Sequence, residues 1–228
     1  MSINKTALII GASRGLGLGL VQRLVEDGWN VIATVRDPAR ADTLSALPRV
    51  QVETLEMNSA RQLDALQERL GAQTFDLLFV NAGVKGPEEQ NPEQAKLADV
   101  GELFMTNSVA PIRVAQRFAP QLRKNTGVIA FMSSVLGSVS IPDAPELCLY
   151  KASKAALNSM INSFVAQLGE PQPTVLAMHP GWVKTDMGGE GADIDVATST
   201  RGMLDQVHAN SGKGGLQFIN YKGESLIW

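Results

Sequence analysis

The chain has one cysteine, Cys148, which excludes an internal disulfide and any cysteine-based zinc cluster. It lies two residues before Tyr150, where a reactive thiol is conceivable, but a lone Cys of this kind reads as a small apolar wall residue and is given no catalytic role. Histidine is almost as scarce: neither His179 nor His208 has partners at metal-ligand spacing, so no metal is expected. No basic block is present to follow a phosphate backbone, and the formal net charge is −3. Nucleic acid is therefore not the expected partner, and a small molecule fits better. No apolar stretch reaches transmembrane length, and the start, Met1 to Thr6, runs into a strand-like segment without the apolar core of a signal peptide. The expectation is a cytoplasmic protein with no membrane partner. No repeat, low-complexity tract or Pro/Ser-rich linker divides the 228 residues, and one domain over 1–228 is expected.

What the chain does have is alternation. Short apolar runs at Thr6–Ile10, Val31–Val35, Val50–Leu55, Leu77–Val80, Val128–Met132, Thr174–Met178 and Leu216–Ile219 read as seven strands. Amphipathic segments lie between them, at Leu16–Glu26, Ala60–Leu70, Val100–Leu122, Tyr150–Leu168 and Val196–His208. Strands alternating with helices give an α/β class: a doubly wound parallel sheet of seven strands, a Rossmann fold with helices on both faces. Pro111 falls inside the fourth helical segment, where it either kinks the helix or marks its break. The run Gly188 to Asp193 reads as a mobile loop.

Directly after the first strand comes Gly11-Ala12-Ser13-Arg14-Gly15-Leu16-Gly17, leading into a helix. Glycines there permit a tight turn and let backbone N–H groups and the helix N-terminus approach a pyrophosphate. Gly19, beyond the motif, reads as a close-packing position. At the end of the second strand, where an NAD-dependent protein carries an acid for the ribose hydroxyls, stands Arg36, nineteen residues beyond Gly17. Its guanidinium, and that of Arg14, suit a 2′-phosphate, so NADP(H) is favoured. Asp37 is the rival, although Asp followed by Pro38 reads as an N-cap with proline at the first helical position.

Tyr150 and Lys154 are four residues apart at the opening of a helix, hence on one face. A phenol titrates near 10, and moving it to neutrality requires about 3 pK units of preference for the phenolate. A nearby ammonium, together with the positive charge of an oxidised nicotinamide, supplies that kind of preference.

In this order and at this separation, the two motifs resemble the short-chain dehydrogenase/reductase family. The resemblance implies roles for further residues. Asn81-Ala82-Gly83 matches the family element that supports the sheet and flanks the adenosine side of the cofactor. Asn107 matches the asparagine that holds a water in a proton relay to the lysine, and Ser134, rather than Ser133, aligns best with the serine that hydrogen-bonds the substrate carbonyl. Pro180-Gly181-Trp182-Val183-Lys184-Thr185 resembles the segment that binds the nicotinamide carboxamide, with Thr185 in the side-chain role. Glu56-Met57-Asn58 departs from the family's Asp-Val, so Glu56 or Met57 would replace its adenine contacts. The closing run from Tyr221 to Trp228, with the Pro-Gly segment, is similar to the branch of C-factor and Sniffer-type carbonyl reductases.

The function so implied is NADPH-dependent reduction of an aldehyde or ketone through Ser134, Tyr150, Lys154 and Asn107. The alternatives are a nucleotide-binding signalling protein of the C-factor type with little turnover, and an alcohol-oxidising dehydrogenase. Family members often form homodimers or homotetramers, and monomers occur. Fifteen residues separate Ser134 from Tyr150 and the stretch after Thr185 is short, so a shallow, open pocket is expected. Its apolar walls would be Leu136, Leu147, Cys148, Trp182 and Met187, with no Arg or His among them and Lys184 nearby.

Overall fold

A computed structural model describes residues 5–228; Met1 to Asn4, the run-in to the first strand, lie outside the described residues. The seven apolar runs form strands at Thr6–Ile10 (β1), Asn30–Val35 (β2), Val50–Thr54 (β3), Leu77–Val80 (β4), Val128–Met132 (β5), Thr174–His179 (β6) and Gly215–Asn220 (β7). They make one sheet in the order β3-β2-β1-β4-β5-β6-β7 with every pairing parallel, the Rossmann arrangement expected. Each strand end lies within one residue of its expected place.

The helices are Gly15–Glu26 (α1), Asp42–Ser45 (α2), Ala60–Leu70 (α3), Leu97–Phe104 (α4), Ala110–Phe118 (α5), Cys148–Gln167 (α6) and Val196–Asn210 (α7). Successive side chains of a strand point to opposite faces, so a sheet covered on both sides needs apolar residues throughout. Ile10, Leu78, Phe131 and Ala177 accordingly join Leu66, Val114, Phe118, Leu157 and Ile161 in one core. Their strand neighbours Ile9, Phe79, Ala130 and Leu176 pack with Leu20, Leu24, Met203 and Leu204 in the other.

Pro111 neither ends its helix nor bends it in the ordinary way. In an α-helix residue 111 would donate to the carbonyl of Asn107, but proline has no N–H and its ring crowds that carbonyl. The chain answers with a wider π turn over Met105–Val109, in which the Ala110 N–H reaches back five residues to the Met105 carbonyl. The expected Val100–Leu122 helix is thus α4, the π turn and α5 in succession, followed by a 3-10 turn at Ala119–Gln121. Asn107 sits within the π turn and is completely buried.

The chain winds outward from β1 through β2 to β3, then crosses back to β4 on the other side of β1, so a crevice opens beyond the C-terminal ends of β1 and β4. Both the Gly11–Gly17 loop and Asn81–Gly83 emerge there. Gly19 does serve close packing: a Cβ on it would come within 2.4 Å of Val196 Cγ1 at the start of α7. Gly19→Val is expected to destabilise the fold by about 1–3 kcal/mol through overpacking. Thermal unfolding should show a midpoint several degrees lower, and an unchanged midpoint would mean that α1 and α7 can separate freely.

Candidate active site

The turn after β1 has no room for a side chain at Gly11 or Gly17. Gly11 has φ +86° and a Cβ on it would lie 2.7 Å from the Ala82 Cβ, while one on Gly17 would meet the Gly11 carbonyl oxygen at 2.0 Å. Asn81 locks the turn to β4 by donating from Nδ2 to the Gly11 carbonyl at 2.7 Å, and the Asn81 and Ala82 N–H groups both donate to the Ile10 carbonyl. Arg14 is the N-cap residue of α1 and provides no side-chain cap, so the first-turn N–H groups have no such partner. A helix N-terminus left in this state behind a glycine turn, with Ser13 and Leu16 half-buried beside it, fits a pyrophosphate.

Across the crevice lies the segment after β6. Gly181 has φ +86°, and a Cβ on it would also strike Ile194 and the Tyr221 ring. Pro180 accepts from the Ser199 hydroxyl at 2.6 Å, and Val183 is buried and bridges to Ile194. Thr185 faces the glycine loop, its Cγ2 3.5 Å from where a Gly15 Cβ would lie. Arg14 and Asp186 form an exposed ion pair between the two loops. Gly188 to Asp193, expected as a mobile loop, is instead tied down. Trp182 Nε1 donates to the Gly188 carbonyl at 2.8 Å, and the N–H groups of Asp193 and Ile194 reach the Trp182 carbonyl.

Arg36 emerges exposed one residue past β2, and Asp37 accepts from the Ala39 N–H as the N-cap of a 3-10 turn at Pro38–Arg40. The rival carboxylate is thereby occupied in local structure. Met57 is another matter: its side chain is packed in the core, so any contact it makes with an adenine is through its backbone. Glu56 accepts from the Asn58 N–H, and Asn58 donates to the Thr106 hydroxyl while its own Oδ1 is buried without a partner among the described residues.

At the centre, Tyr150 lies in the first turn of α6, which begins two residues earlier than expected. Lys154, one turn on, is 4% exposed, donates from Nζ to the Met132 carbonyl at 2.9 Å, and lies 5.9 Å from the Tyr150 ring centre. Ser134 caps a 3-10 turn, accepting from the Leu136 N–H at 3.1 Å, and its hydroxyl draws the Tyr150 phenol's titration down. Ser133 is turned the other way, donating to Asn158 Oδ1 at 2.5 Å, which separates the two candidate serines. Asn107 accepts from the Val84 N–H at 2.9 Å and donates to the Val84 carbonyl and the Ser153 hydroxyl. A Cβ on Gly83 would come within 3.3 Å of Asn107 Oδ1 and 3.5 Å of Lys154 Nζ, so glycine there keeps open the space between them.

Burial governs the titrations here. It pushes the Tyr150 phenol up to about 12, against a smaller opposing pull from the Ser134 hydroxyl, and drives the Lys154 ammonium down to about 8. In the chain without its cofactor, burial thus sets the direction of the phenol's shift. Of the expected pocket walls, Trp182 and Met187 are about half exposed and Cys148 is exposed as well. Sequence reasoning missed Gln90, which is buried and accepts from the Tyr150 N–H at 2.9 Å. Among the described residues no cluster of three or more His, Cys, Asp or Glu is placed to hold a metal, and no helix is long and apolar enough to cross a membrane.

A doubly wound sheet whose switch-point crevice joins a glycine turn to a half-buried tyrosine and a buried lysine defines a dinucleotide-dependent oxidoreductase class. The model of the short chain dehydrogenase family matches residues 5–193, and the chain belongs to that family. A carbonyl reductase from Pseudomonas aeruginosa PAO1 in complex with NADP is 36% identical, with a TM-score of 0.91 over 99% of this chain and 100% of that one. The carbonyl reductase Sniffer of D. melanogaster is 28% identical, with a TM-score of 0.84 over 99% of this chain and 100% of that one. The C-signal protein of Myxococcus xanthus is 32% identical over 154 residues, covering 67% of this chain and 92% of its own length.

His179, at the end of β6, has a buried Nδ1 without a partner among the described residues, and burial pulls it from 6.5 down to about 4. Between those values the unfolded chain binds a proton that the folded chain does not, so this contribution to stability is complete above pH 6.5 and is lost as pH falls toward 4. His179→Asn is expected to lose less thermal stability than the parent between neutral pH and about pH 4. Equal losses would place the acid sensitivity elsewhere.

Proposed function

We propose that the protein is an NADPH-dependent carbonyl reductase that uses Tyr150 as proton donor. The observation that carries this reading is the constellation of half-buried Tyr150 with buried Ser134 and Lys154 at the mouth of the switch-point crevice, beside a glycine turn that fits a pyrophosphate. Backbone N–H groups from Gly11 to Gly17 would hold the pyrophosphate, with Asn81, Ala82 and Gly83 flanking the adenosine side. Pro180, Gly181, Val183 and Thr185 would face the nicotinamide. Arg36 and Arg14, both exposed beside the glycine turn, supply forked donors for a 2′-phosphate, in keeping with the NADP complex of the Pseudomonas relative. When bound, NADPH supplies the hydride received by the carbonyl carbon.

The chain's residues do the rest. Ser134 has its oxygen engaged by the Leu136 N–H, which leaves its hydroxyl hydrogen to donate to the substrate oxygen. Tyr150 then passes its proton to that oxygen. Its raised titration point keeps the phenol protonated at neutral pH, the state that reduction requires. Lys154 would bond the cofactor ribose and, while charged, would stabilise the phenolate that remains. Asn107 supports the return of a proton to Lys154: its side chain is committed to Val84 and Ser153, and its carbonyl is deprived of a helical donor by Pro111. The signalling alternative has no use for this proton machinery. The exposed apolar surface of Trp182 and Met187, with no arginine or histidine among the expected pocket walls, favours neutral aldehydes and ketones, discriminated weakly.

Tyr150→Phe should retain NADPH binding and lose about 10²–10⁴-fold in turnover, the range for a general acid. An NADPH absorbance assay across neutral, acidic and phosphorylated carbonyls measures it, and a retained rate contradicts the role. Arg36→Asp removes charged hydrogen bonds worth about 1.5–3 kcal/mol each. It should reduce the NADPH over NADH preference by more than about tenfold, whereas an unchanged preference moves the 2′-phosphate to Arg14.

A further inference from the structure

Helix α6 starts without a cap of its own. Its N-cap residue is Leu147, whose side chain has no oxygen to offer, yet the first turns of helices leave N–H groups that need acceptors. Tyr150 is the third residue of this helix, the position whose N–H a capping side chain ordinarily takes. That N–H is taken instead by Oε1 of Gln90, sixty residues earlier in the chain, at 2.9 Å. Gln90 is only 7% exposed, and its Nε2 is engaged with the Pro87 carbonyl at 2.8 Å and the Lys85 carbonyl at 3.4 Å. A buried amide is retained only where its polar atoms find partners, and here both do.

The loop that carries Gln90 runs from β4 to α4 and is the one that begins with Asn81-Ala82-Gly83. Its near end is clamped at Val84 by Asn107, and its far side is clamped at Gln90 to the N–H of Tyr150. One loop therefore joins the π turn to the residue that donates the proton. A free N–H at position 150 would allow the first turn of α6 to fray, and the phenol would lose its registration with Ser134.

We infer that Gln90 is a positioning residue for Tyr150, a helix cap supplied from another element that holds the phenol in line for proton transfer. This rests on Tyr150 being the proton donor. In the NADPH-loaded wild type, the Tyr150 amide should exchange its hydrogen as slowly as amides in the middle of α6, although first-turn amides ordinarily exchange fast; fast exchange overturns the inference. With para-nitrobenzaldehyde as the carbonyl, Gln90→Met should lower kcat at least tenfold and change the KM for NADPH by less than threefold. Gln90→Glu, which keeps an oxygen for the Tyr150 N–H while losing the two amide donor bonds, should restore kcat to within a few-fold of wild type. Full activity in Gln90→Met, or an equal loss in Gln90→Glu, removes the positioning role. Tyr150→Phe run alongside separates the two levels: if it is inactive while Gln90→Met is fully active, only the role of Gln90 falls. If it turns over at the wild-type rate, the proton-donor reading falls with it.

Discussion

A lysine ammonium withdrawn from water is the arrangement around which the crevice is built. Lys154 keeps one carbonyl, that of Met132, at 2.9 Å and is otherwise enclosed. Burying a charge on such terms is costly, and the cost appears as a titration point near 8 rather than 10.5. Nothing in the packing of α6 against the sheet requires it, since Leu157 and Ile161 on the same helix fill the core with apolar side chains. The expense is intelligible if a negatively charged phenolate and a ribose are to be met at that place. The surroundings support the same end: the tip of β5 presents the carbonyl, Gly83 leaves space beside the ammonium, and the π turn carries Asn107 up to it.

Tyr150 and Lys154 are perturbed by the same cause in opposite senses. Removing both from water favours the neutral form of each, so the phenol holds its proton more tightly and the ammonium less. For a reductase this is a loaded state, with the proton stored on the oxygen that must give it away. Positive charge near the phenol lowers its titration point, and the account assigns that task to the cofactor working with Lys154.

Much of this was legible in the sequence because the chemistry imposes residue types at short spacing. A turn that presses against Ala82 and against its own carbonyl tolerates only glycine, so Gly11 and Gly17 announce themselves. Tyr150 and Lys154 share a helix face, which spacing alone reveals. Other features depended on contacts between distant segments. Whether Pro111 breaks or bends a helix is decided by the room available for a wider turn, and the direction of the Tyr150 shift is decided by burial. Met57 went into the core because its position on the way from β3 to α3 faces inward. The bond between Gln90 and Tyr150 spans sixty residues and has no spacing rule to give it away. Trp182, by anchoring Gly188 and Asp193, turned an apparently mobile glycine run into a tied one.

The chain contains two tyrosines, Tyr150 and Tyr221, so tyrosine labelled with carbon-13 at the phenol carbon gives a spectrum of two resonances, and Tyr150→Phe assigns them. Titrating the labelled protein with and without NADP+ tests the central claim that the cluster is a proton-transfer centre controlled by charge in a buried site. The account predicts that the Tyr150 phenol titrates above its ordinary value of 10 in the protein alone, and that NADP+ brings it down by about a unit or more. A Tyr150 resonance that titrates at an ordinary value, or one indifferent to NADP+, would contradict it.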